Sequence, residues 1–253
     1  MQTTVLMLHS SLSSGRQWQG LKLALKADYQ VLNPDLLGYG SNTEDYPRPM
    51  QLADEASQLW PLLEGHPAAS VILIGHSFGG AVALHMARTR PELFKAVLVF
   101  EPVAFHLFKT AEVSLYQQVQ QLSQQMLNVS PKDAAELFID YWQGEGYFRH
   151  LPDVMQQKLT TQVGKVPADF EALSGEPATL SDYATAIHCP VLLLSGEQSQ
   201  LSAQRLATML AGALPCVEFQ RVKTGHMGPV TDAELVNSVL LEFIQRLAIA
   251  NLG

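Results

Sequence analysis

The chain has 253 residues, enough for one large hydrophobic core and, on length alone, for one or two domains. Hydrophobic residues make up 47% and charged residues 16% of it, an ordinary balance for a soluble globular protein, and no apolar run approaches the roughly 18 residues needed to cross a membrane. With 24 acidic and 16 basic residues the formal charge is −8, which leaves no electrostatic footprint for nucleic acid and repels anionic membrane surfaces, so small neutral or hydrophobic substrates fit better.

The opening Met1-Gln2-Thr3-Thr4-Val5 runs straight into an apolar stretch with no Lys or Arg ahead of it and no small-residue cleavage site behind, so the expectation is a cytoplasmic chain without a secretory signal. From there, short β-branched apolar runs alternate with segments of helical period. That is the pattern of a mostly parallel central sheet with helices on both faces, an α/β fold. The predicted strands are 4–9, 30–34, 70–75, 96–101, 190–195 and 216–222, and the predicted helices 17–27, 51–64, 78–89, 201–213 and 232–248. Val71-Ile72-Leu73-Ile74 and Val191-Leu192-Leu193-Leu194 lack polar alternation, which places both faces of those strands in the interior. Cys189 and Cys216, at the edges of such strands, read as buried thiols and not as a disulfide or catalytic pair.

The alternation stops between residues 103 and 185. Leu115, Val119, Leu122 and Met126 form one apolar stripe on a helix whose other faces carry glutamines, 133–141 reads as a further helix, and Gly144 and Gly146 break the pattern. The domain reading is therefore a core in two parts, 1–102 and 186–253, with a helical lid inserted at 103–185. The aromatics of that insertion, Phe105, Phe108, Tyr141, Trp142, Tyr147 and Phe148, suggest an apolar substrate pocket in which Trp142 takes part, most of the others forming lid core.

The chemistry gathers where a strand meets a helix. Val71 to Ala81 supplies a buried strand, the turn Gly75-His76-Ser77-Phe78-Gly79 and then good helix formers. Such a turn holds Ser77 in a strained conformation with its hydroxyl exposed and aims the free N–H groups of the following helix at developing negative charge. His226 follows the last predicted strand in the loop Lys223-Thr224-Gly225, and a histidine titrating near neutrality can take the proton of Ser77 and return it to a leaving group. His76 either lines the substrate pocket or packs beside the turn. No metal site competes: His-x-x-x-His is absent, the two cysteines are not in a Cys-x-x-Cys pair, and no Gly-rich loop carries a phosphate-binding Lys. Gly38-Tyr39-Gly40 is too short for a dinucleotide fingerprint, so the chemistry is expected to need no cofactor.

Four segments in order resemble the α/β-hydrolase superfamily: His9-Ser10-Ser11 after the first strand with Trp18 beyond it, Asp35-Leu36-Leu37-Gly38-Tyr39-Gly40-Ser41, the turn at Ser77, and Gly225-His226. The resemblance spans almost the whole chain outside the insertion. It implies an oxyanion hole made by the backbone N–H groups of Phe78 and Ser11, with His9 bracing the loop and Ser10 departing from the usual glycine. Most members place the triad acid in a Gly-x-x-Asp setting after the penultimate strand, but Gly196-Glu197-Gln198-Ser199 puts a serine there. Some members place the acid at the end of an earlier strand, which here is Glu101; Glu197 is the next candidate. The resemblance thus implies a serine hydrolase with Ser77 as nucleophile, His226 as base and Glu101 as orienting acid. Carboxylic esters of small hydrophobic groups are the expected substrates. Carbon–carbon bond hydrolysis, a lyase activity or a non-catalytic small-ligand receptor are the alternatives on the same scaffold. The implied partner is a small molecule, with neither nucleic acid nor membrane, and no feature sets an oligomeric state.

Overall fold

Six apolar runs form the strands β1 (Thr4–Leu8), β2 (Gln30–Leu32), β3 (Val71–His76), β4 (Phe94–Phe100), β5 (Val191–Gly196) and β6 (Val217–Val222) in the computed structural model, which describes residues 2–249. Every neighbouring pair is parallel and the order is β2-β1-β3-β4-β5-β6. Every residue of β1, β3 and β5 is buried, as the unbroken apolar runs of β3 and β5 require of strands covered on both faces. The edge strand β2 is shorter than expected and partly exposed, ending before Asn33-Pro34; a proline cannot donate to a ladder.

Alternate residues of each strand feed two separate cores. Val5 and Met7 pack with Trp18 and with α1 (Gln19–Leu25) on one face, whereas Leu6 and Leu8 pack with α2 (Leu52–Leu59) and α3 (Phe78–Thr89) on the other. The expected helix at 51–64 stops short as an α-helix, giving way to a 3-10 turn at Trp60–Leu63, because Pro61 cannot continue the hydrogen-bond ladder.

Between β4 and β5 the described residues form helices only: α4 (Phe108–Ala111), α5 (Val113–Leu127), α6 (Pro131–Gln143), α7 (Tyr147–His150), α8 (Asp153–Gln162), α9 (Val166–Gly175) and α10 (Leu180–Ala186). The stripe Leu115, Val119, Leu122 and Met126 is the buried face of α5. Helix α6 starts two residues before 133, with Ser130 Oγ accepting from the Asp133 N–H and Pro131 in the first turn. After β5 come α11 (Leu201–Ala213), α12 (Gly228–Thr231) and α13 (Ala233–Ile249), the last packing on the α1 face. No helix among the described residues is long and apolar enough to cross a membrane.

The two cysteines depart from expectation. Cys189 is half-buried and Cys216 exposed, both free, because each lies just ahead of a strand, in the surface turn that leads into it. A further feature of the topology positions the site. From β1 the chain runs outward to β2, then returns past β1 to β3, so the loops that follow β1 and β3 diverge. A crevice opens at their carboxyl ends.

Candidate active site

Ser77 stands in that crevice, between β3 and α3, at φ 54° and ψ −119°. This left-handed conformation is strained for a residue with a side chain, and the surroundings fix it. The Ser77 N–H donates to Phe100 O (3.1 Å) and its carbonyl accepts from Ala81 N (3.0 Å). The flanking glycines are set by close approach. A Cβ on Gly75 would lie 2.5 Å from Gly79 O and one on Gly79 would lie 2.6 Å from Leu8 O, both backbone atoms that cannot step aside.

The ends of β4 and β6 bring two more groups to Ser77. His226 Nε2 lies 2.9 Å from Ser77 Oγ, and His226 Nδ1 lies 2.7 Å from Glu101 Oε2. Because a carboxylate only accepts, Nδ1 carries the proton and Nε2 is left to accept from the serine hydroxyl. The other oxygen of Glu101 accepts from Ser195 Oγ (2.9 Å) and the Gly196 N–H (2.7 Å), so the carboxylate is held from both sides. Glu101 is itself at φ 43°, and Leu12, next to Ser11, is at φ 57°. The expected residues Ser77, His226 and Glu101 are therefore in hydrogen-bonded sequence. Glu197, the second candidate acid, is exposed on the surface.

His9 is buried and neutral. It accepts from Leu36 N–H at Nε2 (2.9 Å) and donates from Nδ1 to Ser10 O (2.7 Å), and burial lowers its pKa to about 4. It joins the loop after β1 to that after β2, the bracing part expected of it. His76 is not among the residues that border the small cavity over Ser77, and its contacts are those of packing beside the turn. It is fully buried, edge-on to Phe100, and its Nε2–H donates to the His226 carbonyl (2.8 Å). Burial first, then the neighbouring His226, holds its pKa well below the ordinary histidine value.

The space over Ser77 is a cavity of about 10 Å³, room for one water, bordered by Ser11, Ser77, Asp169 and apolar groups that include Phe105, Phe138 and Trp142. The Trp142 indole stacks on the His226 ring with centroids 3.6 Å apart and an interplanar angle of 18°. Of the aromatics singled out in the sequence, Phe105 and Trp142 border the cavity, while Phe148 is buried elsewhere and Tyr147 is exposed. Phe78, expected with Ser11 to supply oxyanion N–H groups, is the first residue of α3. A larger open groove of about 700 Å³ runs along α5 and α6; Tyr141 lines it, but none of Ser77, His226, Glu101, Ser11 and Phe78 does.

Sequence reasoning missed a buried charged cluster beside the cavity. Asp169 accepts from Ser11 Oγ and Tyr39 OH (both 2.5 Å) and from Lys165 Nζ (2.5 Å), and Lys165 also reaches Glu55 Oε1 (3.2 Å). The Lys165 ammonium lies 5.1–5.2 Å from the ring centres of Phe78, Tyr39 and Tyr46. Burial pushes the Glu55 carboxyl up to about 7, against the pull of Lys165. One signal was present in the sequence: Lys165 and Asp169 stand four apart among Val163, Val166 and Phe170, charges on an apolar helix face. Among the described residues no group of three or more His, Cys, Asp or Glu side chains is arranged to hold a metal ion.

Comparison with known proteins places this geometry in a family. The model of the alpha/beta hydrolase fold matches residues 3–233. RutD of Klebsiella pneumoniae subsp. pneumoniae, provisionally named a carbamate hydrolase, is 28% identical over 247 residues, covering 89% of this chain and 85% of its own. Among solved structures, a thermophilic esterase from Thermogutta terrifontis with malate bound is similar at TM-score 0.72 and 22% identity, covering 97% of this chain and 90% of its own. The enol-lactonase of Burkholderia xenovorans LB400 superposes at TM-score 0.76 and 16% identity over 97% of this chain and 92% of its own. At such identities these two likenesses speak for the fold.

Proposed function

The chain belongs to the alpha/beta hydrolase fold family, and from that premise we propose that it is a cofactor-independent serine hydrolase that cleaves carboxylic esters of small substrates through an acyl-enzyme on Ser77. The observation that carries the reading is the relay Glu101 Oε2, His226 Nδ1, His226 Nε2, Ser77 Oγ, with contacts of 2.7 and 2.9 Å. His226 takes the Ser77 proton as the oxygen attacks the scissile carbonyl, then gives it to the leaving alcohol. In the second half it deprotonates a water that attacks the acyl-enzyme. Glu101 keeps Nδ1 protonated and stabilises the imidazolium, and the N–H groups of Phe78 and Ser11 receive the oxyanion. The helices α4–α10 act as a lid, since Trp142 and the apolar wall leave no room for a substrate until they move.

Nitrophenyl esters of increasing acyl length test the reading, together with labelling of Ser77 by a serine-reactive phosphonate. Ser77→Ala is expected to lower kcat by on the order of 10⁴ or more, and Glu101→Gln by on the order of 10²–10⁴, since an amide no longer stabilises the imidazolium. A wild type inert to every ester and to the phosphonate would sink the serine mechanism. Retention of most activity in Glu101→Gln would instead remove Glu101 alone from the relay.

A further inference from the structure

One charged group borders the cavity over Ser77 without a part in the chemistry above. Asp169 of α9 is 2% exposed, and apart from it the cavity wall is Ser11, Ser77 and hydrocarbon or aromatic side chains. A carboxylate has about four acceptor positions. Two lie on Oδ2 and are taken by the Ser11 and Tyr39 hydroxyls, one on Oδ1 is taken by the Lys165 ammonium, and the fourth, also on Oδ1, remains on a group that borders the cavity.

Burying a carboxylate beside the reacting serine carries a cost that its bonds to Ser11, Tyr39 and Lys165 offset. Withdrawing a carboxylate from water costs several kcal/mol before pairing, and a buried ion pair is often no more stable than a hydrocarbon replacement of the same shape. Negative charge near an oxyanion site also opposes the charge that develops in acyl transfer; Lys165 offsets that by pairing with Asp169 Oδ1. A leucine at 169 would remove the repulsion but would leave the buried Lys165 ammonium and the Ser11 and Tyr39 hydroxyls without this partner. A carboxylate there discriminates: a substrate hydroxyl or N–H fills the open acceptor position, and a methyl group in the same place leaves it desolvated and unpaired.

We propose that Asp169 is the specificity-determining residue of this site, and that its substrates carry a hydroxyl or N–H donor close to the scissile carbonyl in place of a plain hydrocarbon chain. The proposal deepens the serine-hydrolase reading and rests on it. It departs from the purely hydrophobic substrate that the sequence suggests.

Matched esters that exchange a terminal methyl for a hydroxyl test it: hydroxyacetyl against propionyl and 3-hydroxypropionyl against butyryl on the acyl side, 2-hydroxyethyl against propyl on the alcohol side. The wild type is expected to favour the hydroxylated member of at least one pair by about tenfold or more in kcat/KM. Asp169→Leu is expected to abolish or invert that preference, and Asp169→Asn, which keeps shape and one acceptor, to weaken it, while both still react with the phosphonate at Ser77. If Asp169→Leu does not fold, the wild-type preference and Asp169→Asn decide. A wild type that is labelled but prefers no hydroxylated partner overturns the role of Asp169 alone, as does a variant that slows both members of a pair equally, the mark of a merely structural residue. A wild type that the phosphonate never labels removes the serine-hydrolase reading and the proposal with it.

Discussion

Glu101 is held at both carboxylate oxygens, by His226 on one and by Ser195 Oγ and the Gly196 N–H on the other. Ser195→Ala removes one of these donors and leaves the backbone one. A hydrogen bond to a charged group is worth about 1.5–3 kcal/mol, so Ser195→Ala should lower kcat about tenfold with little change in KM, and steady-state kinetics on one ester would show it. An unchanged kcat would mean that the Gly196 N–H orients the acid unaided. At this scale the sequence was legible where residue type and chain order coincide. Ser77 and His226 stand out by their flanking glycines and Glu101 by the serine at 199. His76 was not legible, because whether a side chain beside the turn faces the cavity or the core depends on which way β3 presents it, and its partner is a backbone carbonyl 150 residues away. Asp169 showed in the sequence only as a charge four residues from Lys165 on an apolar face; where it points was hidden, because its partners Ser11 and Tyr39 lie 158 and 130 residues from it in the chain.

Helix α6 carries Trp142 across the His226 ring, where the indole also borders the cavity over Ser77. On the proposed function, passage of an ester to Ser77 would require this helix, or the indole, to move away. Trp142→Ala should therefore speed phosphonate labelling of Ser77 by about tenfold, equivalent to removing a gating cost of ~1.4 kcal/mol. The same change empties a buried site and should destabilise the fold by about 3–5 kcal/mol. Slower labelling at a temperature where the variant is folded would show that the ring helps to hold the reactive geometry and does not gate it. Element identity was readable because period and burial agree: α3 and α11 run over the expected residues, and the stripe on α5 is its buried face. Boundaries shifted where a local rule overrode the pattern, as when Pro61 ended α2 early. How the helices of 103–185 lie against the sheet was not readable, because an amphipathic stripe shows that a face is buried without saying against what.

Across the whole molecule, the four segments read from the sequence converge because parallel strands put all their carboxyl ends on one edge, and the reversal at β1 and β3 opens the crevice there. The segment between β4 and β5 is then tied to that edge by buried charge: Lys165 to Glu55 on α2, and Asp169 to Ser11 and Tyr39. This tie makes stability depend on pH in a definite sense. The Glu55 carboxyl is raised in the folded protein from its ordinary 4.5 to about 7, with burial as the main cause. Below about pH 4.5 both folded and unfolded chains keep the proton, so the group adds no pH dependence. Between 4.5 and 7 the unfolded chain has released a proton that the folded chain still holds, and stability falls as pH rises, the loss being complete above 7. Glu55→Gln removes this titration while keeping the shape. Relative to wild type, the variant should gain on the order of 2–3 kcal/mol between pH 5 and pH 8, measured as the difference in unfolding free energy by denaturant titration at the two pH values. Buried His9, His76 and His106 also titrate on unfolding, but they do so in both proteins and cancel in the difference. A difference that stays constant with pH would show that Glu55 is ionised throughout, with Lys165 holding it as a salt bridge even in acid.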